Sequence, residues 1–129
     1  MALRGGVKPA TKQEIASAER MSEDYVEQIL MRLKTSGLVE SHRGARGGFT
    51  FARAPQVVTV MDVIEALEGP LALAPCAEKR CDQVAVCVTR TVWAQATLAL
   101  RSVFKRTTIA MLAEKAKVLA AAGAPSFEI

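Results

Sequence analysis

The chain has 129 residues, half of them hydrophobic and only 5% aromatic, with a net charge of +4. That suffices for one modest domain, or a small domain with a dimerisation arm, around a core of Leu, Val, Ile, Ala and Met. The three cysteines are an odd, clustered set, which argues against a secreted disulfide framework and for metal or redox chemistry in a reducing compartment. No signal-peptide segment opens the chain, and no run of about 18 apolar residues offers a membrane span. The expectation is a cytoplasmic protein with no membrane partner.

In chain order, Ala2-Leu3-Arg4-Gly5-Gly6 reads as the last turn of a helix and its glycine stop. Thr11 with Glu14 forms a capping box for a short helix ending near Arg20, with Ile15 and Ala18 facing inward. Ser22 caps a second helix that runs to about Ser36 and stops at Gly37; Val26, Ile29, Leu30 and Leu33 make its buried stripe. Asp24, Glu27, Gln28, Arg32 and Lys34 occupy the opposite face. Leu38–His42 and Phe49–Arg53 alternate like strands, joined by the glycine-rich turn Arg43-Gly44-Ala45-Arg46-Gly47-Gly48. Thr59 and Asp62 cap a helix through Val60, Val63, Ile64 and Leu67 that stops at Glu68-Gly69-Pro70. A loop follows over 71–88. A long helix spans about Thr89 to Arg106, with Val92, Ala96, Ala99 and Val103 on one stripe and Trp93, Leu100 and Phe104 beside it. Thr107 or Thr108 caps a last helix to about Ala122, and the tail from Gly123 is expected to be loose.

The fold class that follows is mainly α with a small β-hairpin: a winged helix-turn-helix plus a long dimerisation helix. Its parts are 1–70, the winged helix-turn-helix; 71–88, the cysteine loop; 89–122, the dimerisation and C-terminal helices; and 123–129, the tail. Helix, turn, helix, strand, basic glycine turn and strand in that order are the ingredients of a double-stranded DNA reader. Residues 31–55 carry five cations, Arg32, Lys34, Arg43, Arg46 and Arg53, against the one acid Glu40, as a phosphate-facing segment requires. Asp24, Tyr25, Glu27 and Gln28 stand where a recognition helix reaches base edges. Arg43 and Arg46 suit a narrow, electronegative minor groove.

Cys76, Cys81 and Cys87 fall in one loop with gaps of four and five residues. Soft thiolates at that spacing suit an iron–sulfur cluster better than a tetrahedral zinc site, which usually pairs its cysteines more closely and adds a local fourth ligand. Thiol redox switching and zinc remain the alternatives. The single histidine, His42, reads as an exposed strand residue at the wing base and offers no nucleophile–base pair, so no enzyme is expected.

Several of these segments together resemble the Rrf-two family of bacterial regulators, with its IscR-type and NsrR-type members. They are Ser22-Glu23-Asp24-Tyr25-Val26-Glu27-Gln28-Ile29-Leu30 with Leu33 and Gly37-Leu38-Val39, the turn Arg43 to Phe49, Val63-Ile64-Glu65-Ala66-Leu67-Glu68-Gly69, and the cysteine triplet followed by Trp93. The resemblance implies a homodimer held by the helix around Val92–Phe104, bound to operator DNA. It implies DNA contacts from Ser22, Asp24, Tyr25, Glu27, Gln28, Arg32, Arg43 and Arg46. It also implies an iron–sulfur cluster, 2Fe-2S or 4Fe-4S, on Cys76, Cys81 and Cys87, which would sense redox, nitric oxide or iron–sulfur status. Three positions depart from the pattern. The family's helix ahead of the Gly-Gly turn is missing. Arg90 stands where the IscR type has a histidine, leaving Glu78 and Asp82 as local carboxylates. The first cysteine gap is one residue shorter than in that type.

Overall fold

The computed structural model describes residues 1, 8–44, 47–74, 81, 83 and 85–123. Helices α1 (Lys12–Glu19) and α2 (Glu23–Thr35) lead into strands β1 (Val39–His42) and β2 (Gly48–Phe51). Helices α3 (Val60–Glu68), α4 (Arg90–Arg106) and α5 (Ile109–Ala121) follow. This is the mainly helical, hairpin-bearing architecture expected.

The helix starts are set by local chemistry. Thr11 accepts from the Glu14 amide while the Glu14 carboxylate accepts from the Thr11 amide at 2.9 Å, the reciprocal box expected. Thr59 and Asp62 repeat it for α3, and Thr108 rather than Thr107 caps α5. Asp62 takes hydrogen bonds from the Thr59 amide and hydroxyl, which hold its carboxyl below the usual carboxylate range. α1 ends at Arg20 in the left-handed region, and its buried residue is Ala16, whereas Ala18, expected inside, is exposed. A helix this short presents only a narrow stripe to its neighbour, and Ala16 is the residue that meets Val26 and Leu30.

Val26 and Leu30 of α2 are buried, with Met1, Ile15 and Phe49 packed around them. Leu38, Val39, Val58, Met61 and Ala74 are buried elsewhere, so the wing, α3 and the first residues after α3 each contribute to the interior. β1 and β2 pair antiparallel, Val39 opposite Phe51 and His42 opposite Gly48. The second strand starts earlier and ends earlier than the alternation suggested, leaving Arg53 outside it. Its end follows β1, whose first residue, Val39, stands opposite Phe51, and its start lies beside the segment before α1. Ala10 lies along β2 and exchanges both main-chain hydrogen bonds with Phe49, at 3.0 and 2.8 Å. Gly48 makes that approach possible: its φ is 148°, and a Cβ there would fall 2.7 Å from the Ala10 carbonyl oxygen. Thr59 stands opposite Thr108 in a second bridge, where the Val60 amide donates to the Thr107 carbonyl and the Ile109 amide to the Val58 carbonyl, each at 2.9 Å, tying the segment after the wing to the start of α5.

α2 packs on α3, and α3 on α4. Neither α4 nor α5 has a fully buried residue. Ala96, Leu100 and Phe104 are half-buried, while Val92, Ala99 and Val103 of the expected stripe are exposed. No helix among the described residues is long and apolar enough to cross a membrane.

Candidate functional site

The polar face of α2 starts from its cap. The Ser22 hydroxyl accepts from the Tyr25 amide at 3.3 Å, so Ser22 is committed to the helix start. Asp24, Tyr25 and Gln28 project outward, Tyr25 with 54% of its surface exposed. Glu27 is exposed too, yet its carboxylate takes a 2.6 Å ion pair from Lys12 of α1. That bond holds the Lys12 ammonium above its ordinary pKa, and it partly neutralises the one acid of this face nearest α1. Arg32 stands apart from the others. Its guanidinium donates to the Leu67 carbonyl at 2.7 Å, on α3. Lys34 likewise reaches the Ser41 hydroxyl in β1 at 2.7 Å.

Sequence reasoning passed over two exposed methionines. Met21 precedes the Ser22 cap, and Met31 lies on the same outward side as Asp24 and Gln28. The helical projection that selected Gln28 also selects Met31, but an apolar residue carries no flag when a polar face is being sought.

At the wing, Arg43 is exposed beside Gly44, whose φ is 102°, while Arg46 lies outside the described residues. His42 is not a bare surface residue. Its Nε2 lies 2.8 Å from the Thr50 hydroxyl, which itself donates to Glu40 at 3.2 Å, and His42 and Glu40 are 3.5 Å apart. The triangle satisfies Thr50, the buried polar side chain of the hairpin. An open cleft of about 550 Å³ runs beside it, bounded by Pro9, His42 and Arg53. The three groups tie the two strands of the wing together.

Of the cysteine set, Cys76 lies outside the described residues, as do Glu78 and Asp82. Cys81 and Cys87 are half-buried, and neither is in a disulfide. The Thr89 hydroxyl, 3.5 Å from the Cys87 sulfur, holds that thiol below its ordinary pKa; desolvation opposes this, and the backbone amides of Thr89 and Arg90 with the Arg90 charge reinforce it. Among the described residues, no three of His, Cys, Asp and Glu are grouped to hold a metal ion. Two thiols, one biased toward thiolate at the start of α4, are a soft donor set that fits an iron–sulfur cluster in chemistry.

A family model described as "Rrf2: Iron-dependent Transcriptional regulator" matches residues 1–115. Protein rrf2 of Nitratidesulfovibrio vulgaris is 32% identical over 120 residues, spanning 92% of this chain and 80% of that protein. Among solved structures, CymR, described as the global cysteine regulator of B. subtilis, superposes with a TM-score of 0.71 at 33% identity, covering 85% of this chain and 81% of that one. IscR of T. potens superposes with a TM-score of 0.70, also at 33% identity, covering 86% and 73%. The helix-turn-helix, the hairpin and the long helix thus recur in regulators with similar sequences, and the chain belongs to the Rrf2 family: it is a DNA-binding transcriptional regulator and not an enzyme.

Proposed function

We propose that this regulator binds operator DNA as a homodimer and that Cys76, Cys81 and Cys87 hold an iron–sulfur cluster whose state alters DNA affinity. The observation that carries the cluster reading is the pair of half-buried, unbridged thiols at Cys81 and Cys87, the latter biased toward thiolate beside the first turn of α4. The family's description as iron-dependent supports it. A bound cluster would supply redox-sensitive cross-linking of the loop. The chain's own part is to present the thiolates between α3 and α4, so that linking them biases how the heads sit on the arm. Such linked equilibria typically carry about 1–3 kcal/mol, and DNA must in return alter cluster stability.

For the homodimer, the supporting observation is the outward surface of α4, where Val92 and Val103 are exposed. A symmetric dimer reads a pseudo-palindrome. Asp24, Tyr25, Glu27 and Gln28 are the candidate base readers, and Arg43 and Arg46 the candidate minor-groove contacts.

A thiol-redox or zinc-dependent regulator without iron is the second reading. It is favoured by the lowered pKa of Cys87 and by the likeness to a protein described as a cysteine regulator. Iron content and visible absorption of anaerobically purified protein separate the two. Operator affinity of holo protein, apo protein and Cys81→Ala, compared at one salt concentration, then tests the switch. The expected result is at least a several-fold difference between holo protein and the other two. Equal binding by all three reduces the cysteines to a structural role.

A further inference from the structure

The C-terminal turn of α3 is gripped by arginines from two different helices. A helix end leaves its last carbonyls without intrahelical donors. Here the Gly69 amide closes on the Glu65 carbonyl at 3.1 Å, and Leu67 offers its carbonyl beyond that bond. Arg32 of α2 takes it at 2.7 Å, a cation placed where the helix dipole favours one. Arg101 of α4 reaches the same turn: one guanidinium nitrogen pairs with the Glu65 carboxylate at 3.2 Å, and the other donates to the Leu71 carbonyl at 3.3 Å. One helical turn earlier on α4, the Thr97 hydroxyl accepts from the Leu73 amide at 3.5 Å. Leu71 and Leu73 are the first residues of the segment that runs into the cysteine loop.

The turn also borders the DNA-reading face. A groove of about 240 Å³ is lined by Tyr25, Gln28, Ile29 and Arg32 of α2 together with Leu67 and Glu68 of α3. Two candidate base readers therefore sit directly against the turn that both arginines hold.

We infer that Arg32 and Arg101 are positioning residues that clamp the C-terminal turn of α3 between the reading helix and the long helix, setting the angle at which Tyr25 and Gln28 are presented to DNA. Arg32 then acts within the protein and not on a phosphate, against the role its charge suggested in the sequence. Arg101 suits its task because a planar fork bonds a carboxylate and a carbonyl at once, which a lysine ammonium on a flexible stem does not reproduce. The inference rests on α2 being the reading helix.

The test uses the full chain, a duplex that the wild type selects from a randomised pool, and a scrambled duplex of the same composition. Arg32→Gln, Arg101→Gln, the double variant and Arg101→Lys are titrated against both duplexes across a salt series, with melting followed by circular dichroism. Each single Gln variant should lower the ratio of selected to scrambled affinity several-fold. The double variant should lower it no further than the worse single one, because both arginines act through one turn. Arg101→Lys should restore little of the ratio, and the salt slope on the scrambled duplex should stay at the wild-type value throughout. A slope that falls by about 0.9 in Arg32→Gln means a lost phosphate contact and overturns the proposal. Strictly additive losses, or an unchanged ratio, overturn it as well. Where a Gln variant does not fold, Met at the same position, which keeps the stem and removes the charge and the donors, is judged by the same criteria. A wild type that selects no duplex refutes the assignment of α2 itself, an outcome distinct from all of these.

Discussion

The reading head and the helical arm are built on different terms. In the head, α1, α2 and the wing bury Ala16, Val26, Leu30, Leu38 and Val39 against one another, and Ala10 closes the sheet edge at Phe49. In the arm, α4 and α5 together comprise thirty residues without one fully buried side chain, and Val92, Val103, Leu112 and Leu119 lie open. The head has its partners within the chain. The arm leaves its apolar side chains open on the single chain. The two regions are therefore expected to answer to different substitutions: the head to loss of core volume, and the arm, on the proposed homodimer, to charge placed on its open face.

The sharpest contrast sets Leu30→Ala against Val103→Glu. Leu30 is buried in the head, so truncation should cost about 2–5 kcal/mol in denaturant unfolding, with little effect on the residual dimer per folded molecule. Val103 is 51% exposed on a single chain, so a carboxylate there should leave the helix content unchanged by circular dichroism while light scattering reports a monomer. A dimer that survives Val103→Glu removes this face of α4 from the interface. The sequence stripe also offered Ala96, but it is half-buried within the single chain, and a charge there would confuse the two effects.

Gly48→Ala should be the next largest. The new Cβ would meet the Ala10 carbonyl at a backbone φ that side chains avoid, so a loss of about 1–3 kcal/mol is expected. Amide exchange should show protection lost at Ala10 and Phe49 while the arm is unchanged. Equal loosening of both regions would mean that head and arm unfold as one unit.

The smallest effect sharpens where the two regions join. The Asp62 carboxyl, lowered by Thr59, stabilises the start of α3 in its ionised form. Because its folded pKa lies below the unfolded value near 3.9, the contribution is fully present above that value and is lost as pH falls through the folded pKa. Asp62→Asn should cost about 1 kcal/mol at neutral pH, a difference that narrows below about pH 4 as the wild type is protonated. A pH-independent difference would show that the capping box owes its strength to shape and not to charge.

The sequence by itself determined the order and nature of every described element and most of their ends. Those are decided within one turn of the chain: Thr11 with Glu14, Ser22, Thr59 with Asp62 and Thr108 each place a side-chain acceptor over their helix's first amides, and Gly37 and Gly69 stop what precedes them. The outward position of Asp24, Tyr25, Glu27 and Gln28 was equally legible, since helical period alone sets it opposite Val26 and Leu30. Only the tertiary structure decided which of these polar groups are engaged. Glu27 is paired with Lys12, fifteen residues away, and Arg32 with Leu67, thirty-five away. The second strand stops at Phe51 because β1 begins opposite it at Val39, and the buried Thr50 finds Glu40 and His42 across the hairpin. A charge in a sequence has a sign and a helical face, but its partner is fixed by the packing of elements remote in the chain. That is why the charge of Arg32 in sequence suggests a DNA contact, while only the fold brings its guanidinium onto the Leu67 carbonyl.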